Sequence, residues 1–107
     1  MNSFLDNQGR EWAVLINVDT VRRVRRLLDV DLLTVADGQL CERLVTDPVF
    51  LCDCLYVIVK PEADARQISD EEFGQSMAGD AIEGASTALL EGLVDFFPPR
   101  QRQVLAK

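Results

Sequence analysis

The first sixteen residues carry the hydrophobic pattern of a small β-hairpin. Residues 6–10 are rich in turn formers, and residues 11–16 alternate polar and apolar side chains before becoming apolar throughout. Phe4 on the first strand is expected to lie across from Trp12 or Val14 on the second. Because a two-stranded ribbon is marginally stable alone, one face of this hairpin should pack against helices.

Helical spacing of apolar residues begins after the hairpin. Asn17 or Asp19 can cap a helix over about residues 20–28, whose apolar side chains recur at three- and four-residue intervals. The members of that apolar face are Val21, Val24 and Leu28. Residues 31–35 are compatible with a short helix or with an extended stretch, and residues 39–45 predict a second short helix.

The most apolar stretch of the chain, residues 49–59, predicts a central helix that is buried on all sides. Asp47 can cap it, and Pro48 at the first helical position loses no donor that the helix needs. We expect the helix to end before Pro61, because the residue that precedes a proline avoids helical geometry. A buried strand is the alternative, and the aspartate–proline start favours the helix.

Asp53 is the one charged residue inside that apolar run. A buried carboxylate needs a partner, and Arg43 or Lys60 can supply the positive charge. A catalytic role would need a second convergent acid or base, which the sequence does not show. We therefore expect Asp53 either at the edge of the helix or in a structural ion pair.

Two further helices are predicted in the C-terminal half. Ser69 can form a capping box with Glu72, and three consecutive acids at 70–72 suit the positive end of a helix dipole. Phe73 and Met77 lie four residues apart and are expected to pack inward together.

The longest helix is predicted over about residues 81–96, with Asp80 as its cap and Pro98 as its stop. Its apolar stripe consists of Ile82, Ala85, Leu89, Leu93 and Phe96 or Phe97. Small residues in this helix, Gly92 among them, allow a neighbouring element to approach closely.

Together these elements predict a mainly α (α+β) fold in one domain over residues 1–107. A small β-hairpin at 1–16 precedes a compact bundle of four to five helices at 17–97 and a short basic tail at 98–107. A chain of 107 residues suits a single core, since two domains of half that length would each be marginally stable.

The amino-acid composition excludes the commonest catalytic arrangements. The chain has no histidine, so a serine nucleophile of the usual triad type lacks its base, and metal sites lack their commonest ligand. The glycines form neither a phosphate-binding loop nor a dinucleotide fingerprint. The three cysteines, Cys41, Cys52 and Cys54, are an odd number, which indicates free thiols in a reducing compartment. We therefore expect no enzyme, no metal and no cofactor.

The charge balance disfavours nucleic acid and membranes as partners. The chain has 18 acidic and 11 basic residues, a net charge of −7, whereas phosphate binding needs a basic footprint. No apolar run approaches the ~20 residues that cross a bilayer, so a cytoplasmic protein is expected. Four clustered arginines are either a nucleic-acid-binding strip or, as we favour, a solvated face paired with local acids: Arg22, Arg23, Arg25 and Arg26.

Binding to another protein remains as the expected activity. A small helical domain with phenylalanines near its helix ends can present an apolar groove to a partner helix. The candidate lining residues are Phe73, Met77, Phe96 and Phe97. For each of them the alternative is a place in the core, although together they exceed what one small core is expected to hide.

Five short motifs follow one another along nearly the whole chain. They are Asp6-x-x-Gly9-Arg10-x-Trp12, Asp47-Pro48, Ser69-x-Glu71-Glu72-Phe73, Gly79-Asp80-Ala81-Ile82 and Phe96-Phe97-Pro98. This order resembles the small tail assembly chaperones encoded in the tail modules of tailed phages and prophages. The resemblance implies a non-enzymatic protein of the bacterial host cytoplasm that binds the aggregation-prone helical tape-measure protein until the tail tube polymerises around it. An acidic helical interaction or regulatory adaptor module is the alternative, and self-association into a homo-oligomer stays open.

Overall fold

The structure, a computed structural model, describes residues 2–97, apart from the side chains of residues 36 and 37. In this part of the chain an antiparallel hairpin is followed by five α-helices and one 3₁₀ helix, and about two thirds of the described residues are helical. The prediction of a mainly α fold with an N-terminal hairpin is confirmed. The predicted basic tail, 98–107, and the predicted stop at Pro98 lie outside the described residues.

The hairpin consists of β1, Ser3–Leu5, and β2, Glu11–Ala13. The strands pair with Phe4 opposite Trp12, as the alternation of side chains predicts. Their inner face is buried, since Phe4 is 4% exposed and Trp12 is fully covered. Gly9 has a φ of 78° in the connecting turn, a left-handed conformation that glycine adopts at little cost.

A buried carboxylate holds the turn of the hairpin together. Asp6 Oδ2 accepts hydrogen bonds from Trp12 Nε1 at 2.9 Å and from Arg10 Nε at 2.7 Å. Its Oδ1 accepts from the backbone amides of Gln8 and Arg10. Arg10 Nη2 also donates to Ser76 Oγ at 2.7 Å, which ties the turn to a segment far along the chain. Burial raises the pKa of the Asp6 carboxyl, but these hydrogen bonds lower it more, so the net pKa lies below its ordinary value.

The helical elements follow the predicted order. They are α1 (Val18–Leu28), the 3₁₀ helix (Leu32–Asp37), α2 (Gln39–Thr46), α3 (Pro48–Ala65), α4 (Asp70–Gln75) and α5 (Asp80–Phe96). The stretch that the sequence left undecided is thus helical, with the tighter 3₁₀ geometry. Among the helices described here, none combines the length and the apolar character that crossing a membrane requires.

Side chains cap the N-termini of most of these helices. Asn17, Asp31, Asp47 and Ser69 each accept a hydrogen bond from a backbone amide two or three residues further on. Helix α5 starts differently, because the chain enters it through a glycine at 79 with a positive φ and no side-chain cap. The prediction that Asp80 caps this helix is therefore wrong, since Gly79 occupies the cap position and Asp80 is the first residue of the helix.

Helix α3 runs through Pro61 to Ala65, so its predicted end before the proline is wrong. Pro61 has no N–H to donate to the carbonyl of Val57, four residues earlier. Arg23 on α1 supplies donors instead: its Nε donates to the Val57 carbonyl at 2.9 Å and its Nη2 to the Ile58 carbonyl at 3.0 Å. The helix continues because a neighbouring helix replaces the hydrogen bond that proline removes.

Helix α3 is central, but it is not buried on all sides. It packs against α1, α2, α4 and α5, and Leu51 and Leu55 on its inner side are almost fully covered. Val49 and Asp53, one turn apart, are exposed, and Val49 keeps 72% of its accessible surface. The prediction of burial all round is wrong because no described element covers this side of the first half of α3.

The core connects α3 to the hairpin through Phe73 on α4. The Phe73 ring lies edge-on to Trp12, with centroids 5.4 Å apart, and its centroid is 5.5 Å from that of Tyr56 on α3. Phe4 on β1 makes a third contact, with a centroid distance of 6.4 Å. This aromatic cluster fixes α4 beside α3 and so forms one boundary of the groove described next.

Candidate functional site

A groove of about 640 Å³ runs between the first half of α3 and α4, and the end of α1 and the start of α5 complete its walls. We call it the α3–α4 groove. Its larger apolar lining residues are Leu28, Val49, Tyr56, Val57, Phe73, Met77 and Ile82. Its volume lies in the range typical of ligand pockets, and its lining is predominantly apolar with a few polar groups.

The floor of the groove belongs to the hydrophobic core. Phe73 is 1% exposed and Met77 is 7% exposed, which confirms that they pack inward together. Both nevertheless line the α3–α4 groove with the part of the side chain that remains accessible. Both alternatives therefore apply to Phe73 and Met77, since these residues belong to the core and also line the groove.

Val49 is the most exposed apolar residue on the wall of the groove. As the second residue of α3, it follows the Asp47 cap and Pro48 and has no helix packed over it. Val45, four residues earlier on α2, is 60% exposed but does not line the groove. The exposed valine and the core residues beside it thus leave apolar surface at the groove that no described element covers.

Three carboxylates stand at the groove: Asp53 on α3 and Asp70 and Glu71 on α4. All three residues are exposed, and none of them forms an ion pair within residues 2–97. Among the arginines and lysines of that range, none lines the groove. Within residues 2–97, the α3–α4 groove is therefore an apolar depression whose negative edge has no compensating positive charge.

The two partners predicted for Asp53 are engaged elsewhere. The Arg43 guanidinium stacks 3.7 Å above the ring of Phe50, and Lys60 Nζ pairs with Asp64 at 3.2 Å. The structural ion pair is thus wrong, and the helix-edge alternative is confirmed. Asp53 is exposed because it follows Val49 by one helical turn on the side that α3 turns toward the groove.

Phe96 and Phe97 lie apart from the α3–α4 groove. Their rings meet edge-on at 5.5 Å; Phe96 is half-buried and Phe97 is buried. Ile82, which does line the groove, precedes Phe96 by fourteen residues on the same helix, a separation of about 21 Å at 1.5 Å per residue. The expectation of one surface lined by all four candidate residues is therefore wrong, because Phe73 and Met77 line the groove near the start of α5 and Phe96 and Phe97 lie at its other end.

The four clustered arginines do not form one free basic strip. Arg23 is held by α3 and lies 3.5 Å from Asp19, and Arg25 pairs with Asp31 at 3.0 Å. Arg22 and Arg26 are exposed. The favoured interpretation, a solvated face paired with local acids, is confirmed for Arg25, whereas Arg23 is only partly exposed and donates mainly to backbone carbonyls of α3.

The cysteines differ in accessibility. Burial, with the nearby charge of Asp53 as a second cause, raises the pKa of the Cys54 thiol to about 12 despite an opposing effect of Arg43. The same two causes raise the pKa of Cys52, which is half-buried and lines the α3–α4 groove. Cys41 is half-buried and does not line the groove. In the described part of the chain, no three His, Cys, Asp or Glu side chains are grouped so that they could hold a metal ion.

Sequence reasoning missed most of the groove wall. Leu28, Val49, Tyr56 and Ile82 come from three helices, and their approach is a property of the packing. One local signal was present: Asp53, the single charge in an apolar run, marks the exposed side of α3, and Val49 shares that side one turn earlier.

Comparison with protein-family models, with curated proteins and with solved structures finds no match to this chain.

Proposed function

We propose that this chain is a non-enzymatic tail assembly chaperone that receives an apolar helical segment of a tape-measure-like protein in the α3–α4 groove. The observation that carries the proposal is the exposed Val49 beside a groove whose floor is Phe73 and Met77. An amphipathic helix presents anchors at positions i, i+3 or i+4, and i+7, and a groove of about 640 Å³ with an apolar floor suits such anchors.

The assignment to tail assembly rests on the order of the five sequence motifs, which spans nearly the whole chain. The net charge of −7 agrees with such a role, because an acidic chaperone remains dispersed while it covers an aggregation-prone partner. Covering an apolar segment requires apolar surface on the chaperone, and the α3–α4 groove provides it.

Co-expression with a long helical tape-measure-like protein of a tailed phage or prophage tests the proposal. We expect the two to co-purify and the partner to become more soluble. Val49→Gln should reduce the recovered complex at least five-fold, because it removes an exposed apolar contact from the groove wall without changing the charge. Val45→Gln is the matched control: it makes the same change at a similarly exposed position outside the groove. Absence of co-purification, or equal losses for the two variants, would contradict the proposal.

Thiol labelling provides a second readout at the same site. Cys52 lines the groove, so a bound segment should slow its alkylation, whereas Cys41 lies outside and should react at an unchanged rate. The ratio of the two rates in one sample is an internal control for reagent and protein concentration. Unchanged labelling of Cys52 in a saturated complex would place the partner elsewhere on the molecule.

A further inference from the structure

We infer that the segment received by the α3–α4 groove is an apolar helix whose flanking positions carry lysine or arginine rather than acids. The inference rests on the proposed function, because it takes the groove as the docking site, and it adds the charge of the partner. It follows from how charged groups are distributed over the two helices that border the groove.

Both bordering helices present carboxylates. Asp53 stands on α3, and Asp70 and Glu71 stand at the beginning of α4. A helix that lies in the groove would therefore have negative charge beside it on both sides. Acidic flanks on that helix would meet like charges at short range, whereas basic flanks would meet opposite ones.

Within residues 2–97, no ion pair neutralises the charge at the groove. Five acids elsewhere in the described residues have a cationic partner, as in the pairs Asp31–Arg25 and Asp64–Lys60, whereas other exposed acids such as Glu42, Glu83 and Glu91 have none. The three groove carboxylates have no such pair within residues 2–97. The net charge of −7 extends the same preference to longer range and would speed the encounter with a basic segment.

The α4 acids have a second reason for their position, since carboxylates stabilise the first turn of a helix. That reason does not apply to Asp53, the sixth residue of a long helix in an otherwise apolar run. Among the described residues, Asp53 neither caps a helix nor forms an ion pair that would explain its position. Its place on the groove edge, one turn after Val49, makes it the residue that best separates a binding role from a helix-start role.

Two synthetic peptides test the inference. Both carry the same leucine face at positions i, i+3, i+4 and i+7; one has lysines in the flanking turns and the other has glutamates at those positions. A third peptide with the lysines but a scrambled apolar face controls for charge alone. In fluorescence anisotropy at low ionic strength, the lysine peptide should bind at least ten-fold more tightly than the glutamate peptide, and the ratio should shrink in 0.5 M salt as screening increases.

Variants of the groove edge separate local from overall charge. The triple variant Asp53→Asn, Asp70→Asn, Glu71→Gln should reduce the lysine-over-glutamate ratio at least five-fold, and Asp53→Asn alone should account for a measurable part of it. The single variant leaves the start of α4 intact, so its result does not depend on the stability of that short helix.

The matched control removes three exposed acids outside the groove, by Glu42→Gln, Glu83→Gln and Glu91→Gln, and gives the same net charge. It should leave the ratio nearly unchanged. An equal loss in both triple variants would show that only overall charge matters and would overturn the inference.

The outcomes also separate this inference from the proposed function. If both charged peptides bind equally well and both protect Cys52 from alkylation, the groove is a docking site and the inferred preference for basic flanks is wrong. If neither leucine-faced peptide binds, or if the scrambled peptide binds as well as the others, the docking site itself is overturned together with the inference.

Discussion

Arg23 on α1 donates a hydrogen bond from Nε to the main-chain carbonyl of Val57 on α3 at 2.9 Å. This is the carbonyl that Pro61 leaves without its helical donor. A residue 34 positions away thus performs the role of a local backbone N–H. The contact lets α3 extend past the proline, and it holds α1 against α3.

Replacing Arg23 should therefore cost more than removing an ordinary surface arginine. Arg23→Ala leaves the Val57 carbonyl unpaired and should lower the free energy of unfolding by about 2 kcal/mol, as expected for a hydrogen bond to a charged group. In a Pro61→Ala background, residue 61 regains the N–H that the carbonyl needs, so the same replacement should cost about half as much. Urea denaturation of the four proteins of this double-mutant cycle measures the coupling.

Arg22→Ala serves as the control for that cycle. Arg22 is exposed on the same helix, so its removal should change stability by less than about 0.5 kcal/mol. If Arg23→Ala costs the same with proline or alanine at position 61, the guanidinium does not replace the missing donor.

Acid should weaken the fold through Asp6. The pKa of this carboxyl is lowered in the folded chain, because hydrogen bonds from Trp12 and Arg10 outweigh the effect of burial. The ionised carboxylate therefore contributes stability above the unfolded-state pKa of about 3.9, and this contribution is lost as the pH falls through the lower folded-state pKa. Asp6→Asn should reduce stability at pH 7 by about 2–3 kcal/mol, because the amide nitrogen cannot accept the hydrogen bonds that Oδ2 receives. It should also flatten the dependence of stability on pH below about 4.

Urea unfolding of the wild type and Asp6→Asn between pH 7 and about pH 2 checks both effects. Asp64→Asn is the control, since it removes a carboxylate from an exposed ion pair with Lys60 and should cost less than about 0.5 kcal/mol. Parallel pH profiles for the wild type and Asp6→Asn would show that this carboxyl does not govern the acid response.

The cysteines should react in a fixed order. Alkylation proceeds through the thiolate, and the raised pKa of about 12 at buried Cys54 leaves almost none at pH 8. Cys41 should be modified first, Cys52 more slowly because its pKa is also raised, and Cys54 only when the chain unfolds. Mass spectrometry of a timed iodoacetamide reaction, with and without urea, measures the order. Modification of Cys54 at the rate of Cys41 in native buffer would contradict its burial.

Two glycines of α5 should respond differently to alanine. A Cβ at Gly84 would meet no atom closer than 3.9 Å, so Gly84→Ala should raise the free energy of unfolding by about 0.5–1 kcal/mol through helix propensity. A Cβ at Gly92 would lie 3.3 Å from Ile16 Cγ1 and 3.5 Å from Val14 Cγ1, so the hairpin must shift to admit it. The gain from Gly92→Ala should therefore be smaller by at least about 0.5 kcal/mol. Thermal unfolding of the two variants gives the comparison. Equal stabilisation would show that the hairpin shifts without a measurable cost in free energy.

The parts of the fold that depend on neighbouring residues could be predicted from the sequence. The pairing of Phe4 with Trp12 follows from alternation, and the Asn17 and Ser69 caps follow from residue type at a helix start. The passage of α3 through Pro61 could not be predicted, because the compensating donor comes from another helix.

The candidate site, too, could be predicted from the sequence only in part. The inward packing of Phe73 and Met77 was readable from their spacing of four residues. The groove above them depends on Leu28 and Ile82 reaching the same place from α1 and α5. No local pattern encodes that meeting, so the sequence gives no sign that Phe73 and Met77 line a surface that excludes Phe96 and Phe97.

The hairpin finally has a consequence for synthesis of the chain. Its buried face is covered by Phe73 and by α5, where Gly92 admits Val14 and Ile16, so the two strands are covered by a helix that the ribosome makes well after them. During translation β1, with Phe4, lacks the cover of α5 until residues 80–96 have emerged. Nascent chains stalled before that helix should therefore be far more sensitive to protease than the released protein.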